Sequence, residues 1–176
     1  MNRPTDVLRE EHRIILRALA VLESAADRLP ADGRVPDGWW ERAVAWLREF
    51  ADARHHAKEE RALFPALVKA GVPSEGGPVA VMLAEHVAGR ELIRAMADGP
   101  DARRAAAARQ YVSLLRQHID KENDVLFSMA DAVLEEQAQQ AIRREFESVE
   151  VEQGGQGAPA AEAAVDGLAR ELGGAA

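Results

Sequence analysis

The sequence predicts an all-α protein: an antiparallel up-down-up-down four-helix bundle with a short extra C-terminal helix and a flexible tail. Three observations lead there. Alanine, leucine, arginine and glutamate are abundant while aromatics make up only 5% of residues, a balance that favours helix over strand. Apolar residues recur at spacings of three and four, with no convincing alternation of period two. Gly- and Pro-containing breaks at residues 30–38, 71–78 and 98–100 divide most of the chain into four long segments. A chain of 176 residues is long enough to bury one substantial core.

The first helix is expected over residues 6–29, where Leu8, Ile15, Leu19 and Leu22 share one face. The second starts near Trp39, with Asp37 as a candidate cap, and runs to about residue 70, closed by Gly71. Pro78 suits the first position of a third helix that extends to about residue 97. The fourth covers residues 101–134, and a shorter pattern over 135–151 carries Ala138, Ile142, Phe146 and Val149. From Gln153 the composition turns to Gly, Ala and Gln, as in a flexible linker. Beyond it, Ala161, Val165, Leu168 and Leu172 mark an alanine-rich tail that either docks on the bundle or stays mobile. The expected division is a bundle domain over residues 1–151 and a linker with a short tail over 152–176.

Charge and cysteine usage narrow the chemistry. A net charge of −8 argues against nucleic acid or an anionic membrane surface as partner. The chain has no cysteine, which excludes disulfides, thiolate metal sites and cysteine nucleophiles and suits a reducing compartment. The longest uncharged stretch, residues 76–84, is far too short for a membrane span, and the first residues lack the apolar run of a secretory leader. A cytoplasmic protein is expected. Any metal chemistry falls to His, Asp and Glu.

An internal echo supplies such residues. His55 to Phe64 matches His118 to Phe127 identically at the His, Lys, Glu, Leu and Phe positions, and both copies contain His-x-x-x-Glu. Residues four apart lie on one helical face, so imidazole and carboxylate project together. A second echo pairs Glu11-His12 with Glu85-His86. Each half thus offers one lone His and one His-x-x-x-Glu. His12 shares its stripe with Leu8, Ile15, Leu16 and Leu19, His86 with Val79, Met82, Leu83 and Ile93, and His118 with Leu114, Leu115, Val125, Leu126 and Met129. On the second helix both His55 and His56 fit the periodicity, and the echo selects His55 with Glu59 because they align with His118 and Glu122.

One His-x-x-x-Glu is commonly a surface pair worth a few tenths of a kcal/mol, to the order of magnitude. Four histidines and two glutamates on core stripes are different, because burying them without partners costs several kcal/mol each, roughly. Two bridging carboxylates would let six side chains serve two ions and leave room for a bridging oxo or hydroxo group and an external ligand. Mixed imidazole and carboxylate ligands with open positions suit iron best, then manganese or zinc.

Through Glu11-His12, His55 to Pro65, Glu85-His86 and His118 to Phe127, the chain resembles the hemerythrin-like, or HHE cation-binding, family over roughly residues 5–150. The resemblance implies an antiparallel four-helix bundle holding two iron ions, with His12, His55, Glu59, His86, His118 and Glu122 as ligands and the two Glu bridging. Oxygen-carrying members have a further His where this chain has Arg90, and their last ligand helix pairs His with Asp at a longer spacing than His118 and Glu122. The set is more similar to members linked to peroxide, nitric oxide or iron handling, among them iron-centre repair proteins, which usually add a cysteine-bearing segment.

The expected function is therefore binding or reduction of a small diatomic or peroxide ligand, with iron or oxygen sensing as the alternative. The residues name neither an electron donor nor an oligomeric state. Arg90 is a candidate for placing positive charge near an anionic ligand, or a surface arginine, and Tyr111 a candidate donor to bound oxygen, or a core tyrosine. Gly89 makes room for a ligand or for helix packing, His56 supports the site from outside or is exposed, and Lys58 and Lys121 are expected to be solvated.

Overall fold

Helix α1, Pro4–Arg28, opens on a proline whose fixed backbone angle suits a first helical position, and it buries Leu8, Ile15, Leu19 and Leu22 along one face. The computed structural model describes residues 3–28, 35–154 and 157–173, so the expected first loop lies mostly outside the described residues. Helix α2 spans residues 39–69 without interruption. No side chain caps its start, where Asp37 was the expected cap; Gly38 takes a left-handed backbone (φ 70°) there instead. Its end is closed by Gly71 at φ 100°, with the Gly71 N–H donating to the Val68 carbonyl and the Val72 N–H to the Leu67 carbonyl, both at 3.0 Å.

Helix α3 is Pro78–Ala97, and α4 spans residues 101–133. Helices α5, Glu136–Glu152, and α6, Gly157–Gly173, complete an all-α architecture with no strand among the described residues. Among the described residues no helix is long and apolar enough to cross a membrane. Helix α3 packs along α4, and α1 packs along both α4 and α6.

Two apolar clusters fill the bundle. One joins Ile15, Leu19, Trp39, Trp46, Phe50, Ile93, Met96 and Tyr111; the other joins Leu8, Phe64, Leu67, Met82, Leu126, Phe127, Ile142 and Phe146. On α1 to α3 the buried histidines and glutamates fall between the two clusters along the chain, and on α4 His118 and Glu122 flank Ile119 at the boundary of the first cluster. A polar layer is thus sealed above and below by hydrophobic packing.

Of the two courses open to the tail, the structure shows docking over Gly157–Gly173. Ala161, Val165, Leu168 and Leu172 join the first apolar cluster, while the Trp39 and Trp46 indole N–H groups donate to the Leu168 and Ala161 carbonyls at 3.0 Å. Arg17 pairs with Glu162 and Asp166 across the seam. Two residues assigned to inward stripes lie at the surface instead. Leu83 is 39% exposed, one position off the buried Met82, and Val125 is 52% exposed, within a widened turn of α4.

Candidate metal centre

Helix α2 is widened over Leu47–His56 and again over Glu59–Leu63, and α4 over Glu122–Leu126. In the latter two turns the Phe64 and Phe127 N–H groups donate five residues back, to the Glu59 and Glu122 carbonyls. Such turns are uncommon and concentrate at functional sites. Successive residues in them advance by less than the roughly 100° of a regular α-helix. His55 and His56 therefore both face the interior, and both are buried.

The sequence echo recurs as a structural one, with a role for every repeated identity. The His55 Nδ1–H donates to Glu11 Oε2, and that of His118 to Glu85 Oε2, each at 2.9 Å. Lys58 donates to Glu11, and Lys121 to Glu85. Glu59 and Glu122 begin the matching wide turns and are fully buried. Phe64 stacks on His86 and Phe127 on His12, with ring centroids 5.7 and 5.3 Å apart. At the next aligned pair, Glu60 accepts from His86 Nδ1 at 2.7 Å and Asn123 Oδ1 from His12 Nδ1 at 3.0 Å. Oxygen partners on Nδ1 fix these four imidazoles with Nε2 turned inward, the tautomer a metal ligand needs.

Two groups of potential ligands result. His12, His55, Glu59 and Glu122 form one, and His56, Glu59, His86 and His118 the other, with the ligand atoms of each within 4.8 Å of one another. Glu59 belongs to both. Glu122 Oε2 lies 3.2 Å from His12 Nε2 and 3.3 Å from His118 Nε2, so it too reaches both groups. Beside the four His and two Glu expected, the second group contains His56, which is not exposed but buried and stacked on His86, centroids 3.8 Å apart. The echo could not flag it, because its aligned residue is the apolar Ile119 and the widened turn breaks the regular angular step.

Many of the cluster's inward-facing polar atoms lack protein partners. Among the described residues, the buried unpaired atoms include His12 Nε2, both ring nitrogens of His56, and all four carboxylate oxygens of Glu59 and Glu122. His86 Nε2 faces His118 Nε2 across 3.2 Å. Leaving so many buried groups unsatisfied costs far more than a protein's margin of stability allows. Cations placed between them would take the lone pairs of the imidazole nitrogens and carboxylate oxygens that face the layer.

The electrostatics show the same strain. Burial, reinforced by neighbouring imidazoles, holds His55 and His56 well below the ordinary value of 6.5, and His118 is also lowered. Burial and the Glu122 charge push Glu59 well above 4.5. Burial works against Glu122 ionising, yet His12, His118 and His55 bring it down to about 2. Burial works against protonated His86 as well, but Glu59 and Glu60 raise it to about 9. Metal binding at this layer would displace that proton, a coupling general to metal sites.

The other singled-out residues fall around this layer. Arg90 is tied down, donating from Nε to Asp52 Oδ1 at 2.8 Å and from Nη2 to Glu60 Oε1 at 2.7 Å. It thereby braces the partner of His86 and also Asp52, whose Oδ1 lies 3.5 Å from His56 Nδ1. Tyr111 is fully buried, its hydroxyl unpaired and its ionisation pushed up by burial and by Asp52. Gly89 faces the Tyr111 ring, which a Cβ at this position would meet at 3.5 Å, an ordinary contact. Lys58, expected to be solvated, is buried. A surface groove between α2, α4 and α5 is lined by none of the clustered His or Glu.

A helical bundle with a buried, partly unpartnered layer of imidazoles and carboxylates defines a cation-binding protein. The chain matches the family model of the hemerythrin HHE cation-binding domain over residues 3–130, and it belongs to that family. No curated protein and no solved structure matches it significantly.

Proposed function

We propose that this chain is a non-heme di-iron protein that binds or reduces a small oxidant, namely dioxygen, hydrogen peroxide or nitric oxide. His12, His55, Glu59 and Glu122 would hold one iron, and His56, Glu59, His86 and His118 the other, with Glu59 and Glu122 within reach of both. The observation that carries this reading is the unequal division of imidazoles around shared carboxylates, three in one group and two in the other. The group with fewer imidazoles has fewer positions filled by protein and is where an external ligand enters. Imidazole with carboxylate suits iron among the available metals. Bound iron supplies the electrons for reduction.

The chain's own residues supply the rest. Glu11, Glu60, Glu85 and Asn123 orient the imidazoles through Nδ1. Phe64 and Phe127 back two of the rings and exclude water. Every clustered His and Glu is buried, which favours a diatomic molecule or peroxide over a bulky substrate.

The test begins with metal analysis of protein purified without chelator, which should find two irons per chain. His55→Ala and His56→Ala should each reduce that to one, since each removes a ligand from a different group. A stable bundle with no metal affinity would overturn the reading. Anaerobic reduction followed by mixing with dioxygen, peroxide or nitric oxide, with a chemical electron donor kept in excess and a protein-free control, then separates the functions: turnover beyond one equivalent marks a reductase, and a stoichiometric spectral change marks a binder or sensor.

A further inference from the structure

Glu150 lies near the end of α5, outside the residues that match the family model. Its carboxylate accepts from Lys58 Nζ at 2.6 Å and pairs with Arg54. Arg54 Nη2 also donates to the carbonyl of Gln153, the residue that caps α5, at 2.9 Å. Lys58 is buried beside Phe146 of α5, with Nζ 5.7 Å from the ring centroid. From Lys58 the path continues to Glu11 and then to His55 Nδ1. In the other half, Lys121 and Glu85 make the equivalent bonds to His118, but Lys121 remains 42% exposed.

We propose that Glu150 is a positioning residue for the metal centre: through Lys58 and Glu11 it fixes the His55 imidazole, making α5 a working part of the site. This rests on the reading of His55 as a ligand. A buried ammonium held between two carboxylates stays in one place; held by Glu11 alone, it is drawn toward water and takes Glu11 with it. His55 then loses the acceptor that sets its tautomer and ring orientation. Removing such outer partners typically costs about 10- to 100-fold in metal affinity.

Glu145 provides the control, because it pins α5 through Arg61 Nε at 2.9 Å in an exposed pair that touches nothing leading to the cluster. Full-length wild type, Glu150→Gln, Glu150→Ala and Glu145→Ala would be compared by chelator competition for Fe(II) and Co(II) and by the visible spectrum of the Co(II) forms. The Nδ1–H resonance of His55 would be followed in chelator-treated protein. Glu150→Ala should weaken metal binding by about tenfold or more, alter the Co(II) spectrum and shift or broaden the His55 resonance. Glu150→Gln should do so less, and Glu145→Ala should leave all three near wild type. Equal effects from Glu150→Ala and Glu145→Ala, or none from either, would overturn the proposal. If wild type bound no metal, the di-iron reading would fail, while the resonance would still decide whether Glu150 orients His55.

Discussion

Residues 11–64 and 85–127 place matching side chains around one centre, but they do so in different surroundings. In the first half the His55, Glu11 and Lys58 chain is covered by α5, and the lysine side chain is 2% exposed. In the second half the His118, Glu85 and Lys121 chain meets solvent, with the lysine 42% exposed. The first half carries His56 where the second has Ile119. His86 leans on the charged Glu60, braced by Arg90, while its counterpart His12 leans on the neutral Asn123. Near-symmetry builds a two-position scaffold, and the departures from it make the two positions electrostatically unequal.

The sharpest way to break this comparison is to remove each lysine. Lys58→Met strips the buried Glu11 of its cation, and losing one partner of a buried pair costs about 3–5 kcal/mol. Lys121→Met removes a half-exposed ion pair worth about 0–1 kcal/mol. Urea unfolding of the chelator-treated proteins should separate the two variants by several kcal/mol, to the order of magnitude. Similar losses would mean that α5 does not seal the first half as described.

The difference between Lys58 and Lys121 marks what the sequence made legible. Gly- and Pro-containing breaks and apolar spacing announced the four helices, and the repeat His-x-x-Lys-Glu-x-x-x-Leu-Phe announced the carboxylates at 59 and 122, because helical spacing alone puts His and Glu on a shared face. It also carried the supporting contacts, although Glu11, Glu85 and both lysines had no evident role until the helices were brought together. Burial of Lys58 depends on α5, which the repeat does not include. His56 was illegible for a local reason: a widened turn changes which neighbours share a face, and nothing in the composition of residues 47–56 signals one. Gly38 in place of an Asp37 cap is likewise a backbone choice that the residue types leave open.

A smaller effect concerns pH in the metal-free protein. His55, His56 and His118 have folded pKa values below 6.5, so the unfolded chain binds more protons than the native one as pH falls through that value. Stability therefore declines below about pH 6.5, by at most about 1.4 kcal/mol per pH unit for each such imidazole. His86 works in the opposite sense. Its raised value, about 9, contributes stability below pH 6.5 that is lost as pH rises through 9. Chelator-treated protein should thus be most stable near pH 6.5, and iron should raise stability overall but steepen its loss on the acid side, because metal holds the imidazoles unprotonated in the native state while the unfolded chain still takes up their protons. A stability that rises steadily from pH 7 to pH 5 would contradict the burial of three neutral imidazoles.

The smallest expected effect tests a position where the halves differ in packing rather than charge. Counting from the paired His12 and His86, Gly89 aligns with Ile15, a buried core residue. The space that Ile15 fills in one half is taken in the other by the ring of Tyr111: a Cβ added at Gly89 would meet Tyr111 Cε2 at 3.5 Å, an ordinary contact distance. Gly89→Ala should therefore fit without displacing the ring and should raise stability by about 0.5–1 kcal/mol through the helix preference of alanine. Metal content and reactivity should stay unchanged, since no cluster atom lies in that contact. A loss of iron or of oxidant binding in Gly89→Ala would instead show that small-ligand access runs past Gly89, and the asymmetry at this level would then be functional rather than a matter of packing.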